Sequence, residues 1–266
     1  MGIRRIVRGT LDWETIERVA REVADRYDRA DPRITFLEAD NWLSTPMVVD
    51  DEWFVKIISP QNAFVHAVFT GARNVGVMAS AGDGFFEHAA GPVEMAAHEI
   101  RATRRMRQIG LNVPEPVESF EVAGLGGVVL EYLEDFTTLD ALPASDVEAW
   151  APRLFADLAT MHRHDLAHGD VREENVLVHD GALYFIDATM VAEDGLEDAR
   201  AYDVASALAA LEPHVGADIS VGAALQSYDA AILLDATNFL AFVNLRPDHS
   251  FDADAVRSAV TDRVGE

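Results

Sequence analysis

The sequence predicts an α+β chain, β-rich in its first half and helical in its second, of a length that suits one large domain or two lobes. Three observations carry that prediction. Runs of β-branched and aromatic residues crowd the first half, at Ile34–Glu38, Met47–Val49, Trp53–Ile58, Val117–Val122 and Val128–Tyr132. From Asp146 onward, apolar residues recur at helical spacing. Inside that helical half lies the polar run His168-Gly169-Asp170-Val171-Arg172-Glu173-Glu174-Asn175, followed by one more tight hairpin. The expected organisation is an N-terminal helical extension over 1–32, a β-rich lobe over 33–133 interrupted by an insertion at 59–92, and a helical lobe over 134–266.

Residues 10–28 place Ile16, Val19, Ala20, Val23 and Tyr27 on one helical stripe, with Thr10 or Asp12 as N-cap and Asp31-Pro32 as the stop. Asp50-Asp51 turns the chain between the second and third strands. The insertion carries Gly71, Gly76, Gly82, Gly84 and Gly91, and reads either as a flexible cover for a site or as plain surface loop. It contains neither G-x-x-x-x-G-K-[ST] nor G-x-G-x-x-G, which argues against a Walker or dinucleotide site. Val93–Ile109 is a helix stopped by Gly110. The next hairpin is expected to turn through Gly124, Gly126 and Gly127. Asp146–His164 is a helix with Val147, Trp150, Leu154, Leu158 and Met161 on one face. Ala223–Leu245 is interrupted by Gln226, Asp229, Asp235 and Asn238, so it reads as a buried helix and not a membrane span. Helices over Ser220–Val243 and Asp252–Val264 complete the lobe.

The charge is unusual: 46 acidic against 21 basic residues give a formal net charge of -25 and a pI near 4.5. Molar salt shortens the Debye length to roughly 3 Å, so the reading is a haloarchaeal, high-salt cytoplasmic protein; an acidic face for a basic partner is the alternative. Either way the surface argues against direct binding to a nucleic-acid backbone. With no cysteine, disulfides, thiolate zinc and a cysteine nucleophile are excluded. Arg4, Arg5 and Arg8 precede no apolar stretch of signal-peptide length.

Val176-Leu177-Val178 and Ala182–Ile186 are β-prone runs joined by His179-Asp180-Gly181, whose Asp-Gly step favours a tight turn. Such a hairpin returns Asp187 to the end where Asn175 and Asp170 lie. Asn175 and Asp187 then offer hard oxygen ligands for Mg²⁺, leaving Asp170 to accept the proton of an attacking hydroxyl or water. The other reading is a polar turn beside an ordinary hairpin. Arg172 either touches a transferring phosphate or is exposed and unpaired. His162, His164 and His168 lack further ligands to complete a zinc site. Asp203 either accepts amides of the 168–175 loop and braces it, or serves a helix N-terminus.

Lys56 is the one lysine beside 20 arginines. It sits in the strand Glu52–Ile58, where a compact ammonium on a flexible stem reaches between phosphates better than a planar guanidinium. A chance leftover on a strand face is the alternative.

H-x-D-x-x-x-x-N followed by a strand, a turn, a strand and an aspartate resembles the catalytic-loop and metal-binding pattern of protein-kinase-like phosphotransferases. Lys56, Glu99 in His98-Glu99-Ile100-Arg101, Val113-Pro114-Glu115-Pro116, His168-Gly169-Asp170 with Asn175, Ile186-Asp187 and Tyr202-Asp203 resemble the RIO-type atypical kinases and their relatives, including the kinase of the tRNA threonylcarbamoyl complex. The H-G-D form and the 15 residues separating Asp187 from Asp203 are also similar to aminoglycoside phosphotransferases.

The resemblance implies a two-lobed protein-kinase-like fold and ATP with Mg²⁺. It implies Asp170 as catalytic base, Asn175 and Asp187 as metal ligands, and Lys56 at the phosphates paired with Glu99, for which Glu94 is the rival. It also implies a hinge at residues 131 to 133 whose backbone at Glu131 and Leu133 meets adenine. A kinase flap is glycine-rich, whereas 38–46 here has no glycine; either Ser44, Thr45 and backbone amides cradle the phosphates or cover comes from elsewhere. The acceptor expected is a protein Ser/Thr hydroxyl, or ATP is hydrolysed as a switch, with a ribosome or tRNA-modification assembly as partner. A small-molecule kinase with acidic residues in its second lobe, and a non-catalytic nucleotide binder, are the alternatives.

Overall fold

The computed structural model describes residues 13–37, 44–60, 91–188, 195–244 and 250–264. The N-cap at Thr10 or Asp12, most of the glycine-free flap and almost all of the insertion lie outside the described residues. Contacts within the chain divide it into two compact units that change over after Glu134, with the 92–108 helix dividing after Arg104.

The first unit holds α1 (Trp13–Arg26), β1 (Ile34–Phe36), β2 (Thr45–Val49), β3 (Trp53–Ile58), most of α2 (Pro92–Gln108), β4 (Pro116–Val122) and β5 (Leu125–Glu131). The strands form one antiparallel sheet in the order β1-β2-β3-β5-β4. Side chains alternate across it. Val55, Ile57 and Val129 face Val19 and Val23 of α1 in one apolar cluster. Ile58, Val128 and Leu130 face Ala96 and Ile100 of α2 in the other. The N-terminal helix therefore covers one face of this sheet. Arg26 and Tyr27 also reach Glu118 of β4, at 2.9 and 3.0 Å.

Asp50 and Asp51 turn β2 into β3 with left-handed φ of 56° and 54°, and Glu52 N–H closes the turn on the Val49 carbonyl at 3.1 Å. The β4–β5 turn differs from expectation. Only Ala123 and Gly124 form it, with φ of 52° and 78°; Gly126 and Gly127 belong to β5. Their smallness serves packing. A Cβ at 126 would overlap the Pro92 carbonyl, and one at 127 would overlap the Phe120 ring lying across it.

The second unit contains β6 (Thr137–Thr138), α3 (Ala144–Arg163), β7 (Val176–His179), β8 (Ala182–Phe185), α4 (Leu196–Val215), α5 (Ala217–Ala224), α6 (Ala230–Thr237), α7 (Leu240–Val243) and α8 (Ala253–Val264). Helices α3 and α4 supply Leu154, Phe155, Leu158, Tyr202 and Leu208 to one large core. The helix expected over 220–243 is instead three short ones. Its polar interruptions are the cause: Gln226 N–H closes a turn on Ala223, the Asp229 carboxylate caps α6 at Ile232, and Asn238 N–H closes on Asp235. Among the described residues no helix is long and apolar enough to cross a membrane. The α+β, two-lobed class expected from the sequence is what forms, with the larger sheet in the first unit and most of the described helices in the second.

Candidate active site

In the first unit the site begins with strand alternation. Lys56 shares a face of β3 with Phe54 and Ile58, the face that α2 covers. Glu99 sits one position before Ile100 of that packed stripe, and its carboxylate meets the ammonium: Nζ to Oε2 is 3.0 Å, with both side chains 9% exposed. Glu94, the rival, is exposed on the first turn of α2. Thr103 Oγ1 donates to the Glu99 carbonyl at 2.8 Å and fixes that turn of the helix.

Thr45 opens β2 opposite Ile57, next to the Pro46–Lys56 pair. Ser44 precedes it, buried, its hydroxyl without a partner among the described residues. At the hinge, Glu131 N–H donates to the Glu115 carbonyl and Tyr132 N–H to the Glu52 carbonyl, both at 2.9 Å. The Glu131 carboxylate accepts from Glu115 N–H at 3.1 Å. Leu133 is buried.

In the second unit the hairpin forms as expected. Asp180 and Gly181 adopt φ of 48° and 71°, Val176 pairs with Phe185, and Ile186 N–H donates to the Asn175 carbonyl at 3.1 Å. Asn175 and Asp187 therefore flank the open end of one ladder. Asn175 Nδ2 donates to the Asp170 carbonyl at 2.9 Å and to its Oδ2 at 3.2 Å. With the nitrogen so used, the amide turns its oxygen away from Asp170, the orientation that a metal ligand needs. Asp187 holds a left-handed φ of 61°, a conformation short polar residues accept. Hard oxygens of this kind suit Mg²⁺. Arg172 is not the exposed, unpaired cation of the alternative reading: its Nε lies 3.3 Å from Asp170 Oδ2 and its Nη1 3.2 Å from Glu174.

The loop hangs on Asp203, fully buried within α4. One carboxylate oxygen accepts His168 N–H at 2.6 Å and the other Gly169 N–H at 2.7 Å. The helix begins at Leu196, so Asp203 is not a helix-end carboxylate; the bracing reading is the one observed. Gly169 takes φ of 73° beside it. Asp170 N–H faces His168 Nδ1 at 3.3 Å, which leaves the imidazole proton on Nε2. Burial pushes the His168 imidazole down from its ordinary value, against the opposing pull of Asp203, so the ring is neutral.

Two members of the assembly were not legible as such. His162 Nε2 lies 3.2 Å from Asp203 Oδ2, and the Tyr228 hydroxyl lies 2.8 Å from His162 Nδ1. An aspartate in an otherwise apolar helix signals that buried partners exist, but not which. His164 contacts the Thr160 carbonyl at 2.9 Å, so each of the three histidines once weighed for zinc has a protein partner.

Residues 90–202 match the RIO domain family model. This RIO domain match takes in Glu99, Glu131, Leu133, Asp170, Arg172, Asn175 and Asp187, and stops short of Ser44, Thr45, Lys56 and Asp203. Over 115 residues the chain is 28% identical to the KEOPS complex subunit Bud32 of Pyrococcus abyssi, covering 42% of this chain and 51% of that one. Over 109 residues it is 35% identical to the serine/threonine-protein kinase RIO1 of Caenorhabditis elegans, covering 37% of this chain and 20% of the relative. The chain thus spans about half the length of one curated relative and a fifth of the other. A solved kinase domain, Mycobacterium tuberculosis PknI, aligns over 89% of this chain and 96% of its own at 16% identity, with a TM-score of 0.42. The RIO domain match and the α+β architecture together bear out the expected kinase-like fold class.

Proposed function

We propose that the chain is an ATP-dependent phosphotransferase of the RIO-like kinase type. The observation that carries the reading is the loop suspended from Asp203, which holds the Asp170 carboxylate against the Asn175 amide and the Arg172 guanidinium. In this reading Asp170 takes the proton of an acceptor hydroxyl as its oxygen bonds the γ-phosphorus and the bond to the ADP oxygen breaks. Arg172, released from Asp170, follows the charge onto the transferred phosphoryl group. Asn175 and Asp187 would hold Mg²⁺, which supplies charge neutralisation at the phosphate oxygens. Lys56, oriented by Glu99, would bind phosphate oxygens. Ser44 and Thr45 would stand where a glycine-rich flap is missing, and the backbone at Glu131 and Leu133 would meet adenine. With the amides of Glu131 and Tyr132 already donated, the Leu133 amide is the donor assigned to that task.

The acceptor proposed is a protein Ser/Thr hydroxyl, or water when the chain works as a switch. The partner proposed is the ribosome or tRNA-modification assembly that the resemblance implies, one relative being named as a complex subunit, and the formal charge of -25 suits a salty, haloarchaeal cytoplasm. The small-molecule alternative would need acidic groups in the second unit that are not otherwise engaged. A cavity of about 680 Å³ there is lined by Glu212, Asp252, Asp254 and Arg257. Glu212 accepts Asp252 N–H, Asp252 caps α8 at Ala255, and Asp254 pairs with Arg257. Those carboxylates are already employed, so the cavity gives that alternative no support.

The test is turnover of γ-labelled ATP with Mg²⁺ in molar KCl, counting protein-bound and free phosphate separately. Asp170→Asn is expected to cut both by on the order of 10²-fold or more, and Lys56→Met to reduce turnover as well. Tight ATP binding without turnover in the unmodified chain would overturn the enzyme reading and leave a nucleotide binder.

A further inference from the structure

The loop brace does not end at Asp203. Tyr228, in the turn joining α5 to α6, lies 66 positions beyond His162, yet its hydroxyl reaches His162 Nδ1 at 2.8 Å. His162, on the last turn of α3, presents Nε2 to Asp203 Oδ2 at 3.2 Å. Asp203 in turn accepts the amides of His168 and Gly169. All the side chains in this series are buried: Tyr228 is 8% exposed, His162 6% and Asp203 0%. Water therefore does not substitute readily for a lost member.

The direction of donation follows from elimination. A carboxylate only accepts, so the ring nitrogen facing Asp203 must carry the proton. With one proton on the ring, Nδ1 is then the acceptor and the phenol beside it the donor. Burial pushes the Tyr228 phenol well up, and the Asp203 charge adds to that, so its proton stays in place. The Tyr228 ring is further fixed edge-on to Phe155, with centroids 6.4 Å apart.

We propose that Tyr228 is a positioning residue for the catalytic loop: its hydroxyl fixes the ring orientation and tautomer of His162, which orients the Asp203 carboxylate, which holds the His168 and Gly169 amides and so places Asp170. This rests on the phosphotransferase reading for its consequence, but not for its geometry. Tyr228→Phe removes one oxygen from a packed ring and leaves His162 Nδ1 buried without a donor. The ring then turns freely enough to loosen one of the contacts on Asp203.

Two measurements on the full chain in molar KCl decide it. Ring ¹⁵N NMR of the unmodified protein should show His162 protonated at Nε2 and bare at Nδ1. In Tyr228→Phe, amide exchange at His168 and Gly169 should speed up on the order of tenfold, the equivalent of about 1.4 kcal/mol for one lost hydrogen bond. A Val260→Ala control in α8, which truncates the same core but removes no hydrogen bond of the series, should slow or speed these amides only as far as it changes global stability. In turnover, Tyr228→Phe should lower kcat by a similar factor and leave the KM for ATP within about twofold, since a loop placed less well binds nucleotide no less. Protonation at Nδ1 in the unmodified protein, or unchanged exchange at His168 and Gly169 in Tyr228→Phe, overturns the proposal. If the unmodified chain shows no turnover at all, the phosphotransferase reading falls by itself, and the exchange rates still decide the role of Tyr228.

Discussion

Lys56→Met removes an ammonium 3.0 Å from the Glu99 carboxylate while keeping most of the side-chain volume. Each side chain of the pair is 9% exposed, so the carboxylate left behind recovers little hydration. Breaking one member of a buried pair costs about 3–5 kcal/mol, and the small residual exposure places the expected loss near the lower end of that range. Glu99→Gln takes the carboxylate away from the ammonium in the same way. The double variant Lys56→Met/Glu99→Gln removes both charges of the pair, so it should be more stable than the sum of the singles implies, by about 2 kcal/mol. Urea unfolding in molar KCl is the appropriate assay. There the Debye length of roughly 3 Å mutes exposed pairs such as Arg18–Glu14, while a pair shielded from solvent keeps its coupling. Losses that add to within about 0.5 kcal/mol would refute the claim that the two residues act as one dry unit.

Further outcomes follow from the same geometry. Gly126→Ala should cost about 2–4 kcal/mol in urea unfolding, because the added Cβ meets the Pro92 carbonyl and backbone yields less readily than a side chain; a loss under about 1 kcal/mol would mean that α2 lies less tightly against β5. Asn175→Ala should raise the Mg²⁺ concentration needed for half-maximal turnover on the order of tenfold, about 1.4 kcal/mol for one ligand; an unchanged Mg²⁺ response would remove Asn175 from the metal site. For His168, burial lowers the folded-state pKa, so the unfolded chain binds the proton first as pH falls. Its contribution is fully present above the unfolded value of about 6.5 and declines below it, by up to about 1.4 kcal/mol per pH unit. Urea midpoints compared at neutral and mildly acidic pH should show that decline in the native sequence and a shallower one in His168→Gln.

Much of this fold was legible because period and turn chemistry agree locally. The 53–58 strand and the Asp180-Gly181 hairpin form where alternation and an Asp-Gly step place them. Lys56 was legible for a different reason: a single lysine in an arginine-rich chain marks a position whose chemistry arginine does not supply, whereas Glu99 as its partner was legible only through the family resemblance. Gly126 and Gly127 misled, because a glycine required by close approach of another element looks the same in sequence as one required by a turn. Over 220–243 the hydrophobic content indicated helix, but only the capping and turn hydrogen bonds decide whether a polar residue decorates a helix or ends it. Tyr228 lay beyond reach altogether, since its role depends on where the α5–α6 turn meets α3, a long-range contact without local signature.

The lone ε-amine also turns the molecule into its own reporter. An acylating reagent has Lys56 as its single side-chain amine, apart from the α-amine at the start of the chain, and the one it seeks is folded against α2. Modification at Lys56 therefore measures how often the β3–α2 contact opens, and a peptide map locates the adduct without ambiguity. The same simplicity closes a door in the cell: a surface without lysine offers no side-chain amine for acetyl groups or ubiquitin-like tags. Control by those routes would have to act on the one amine whose loss also breaks the pair with Glu99.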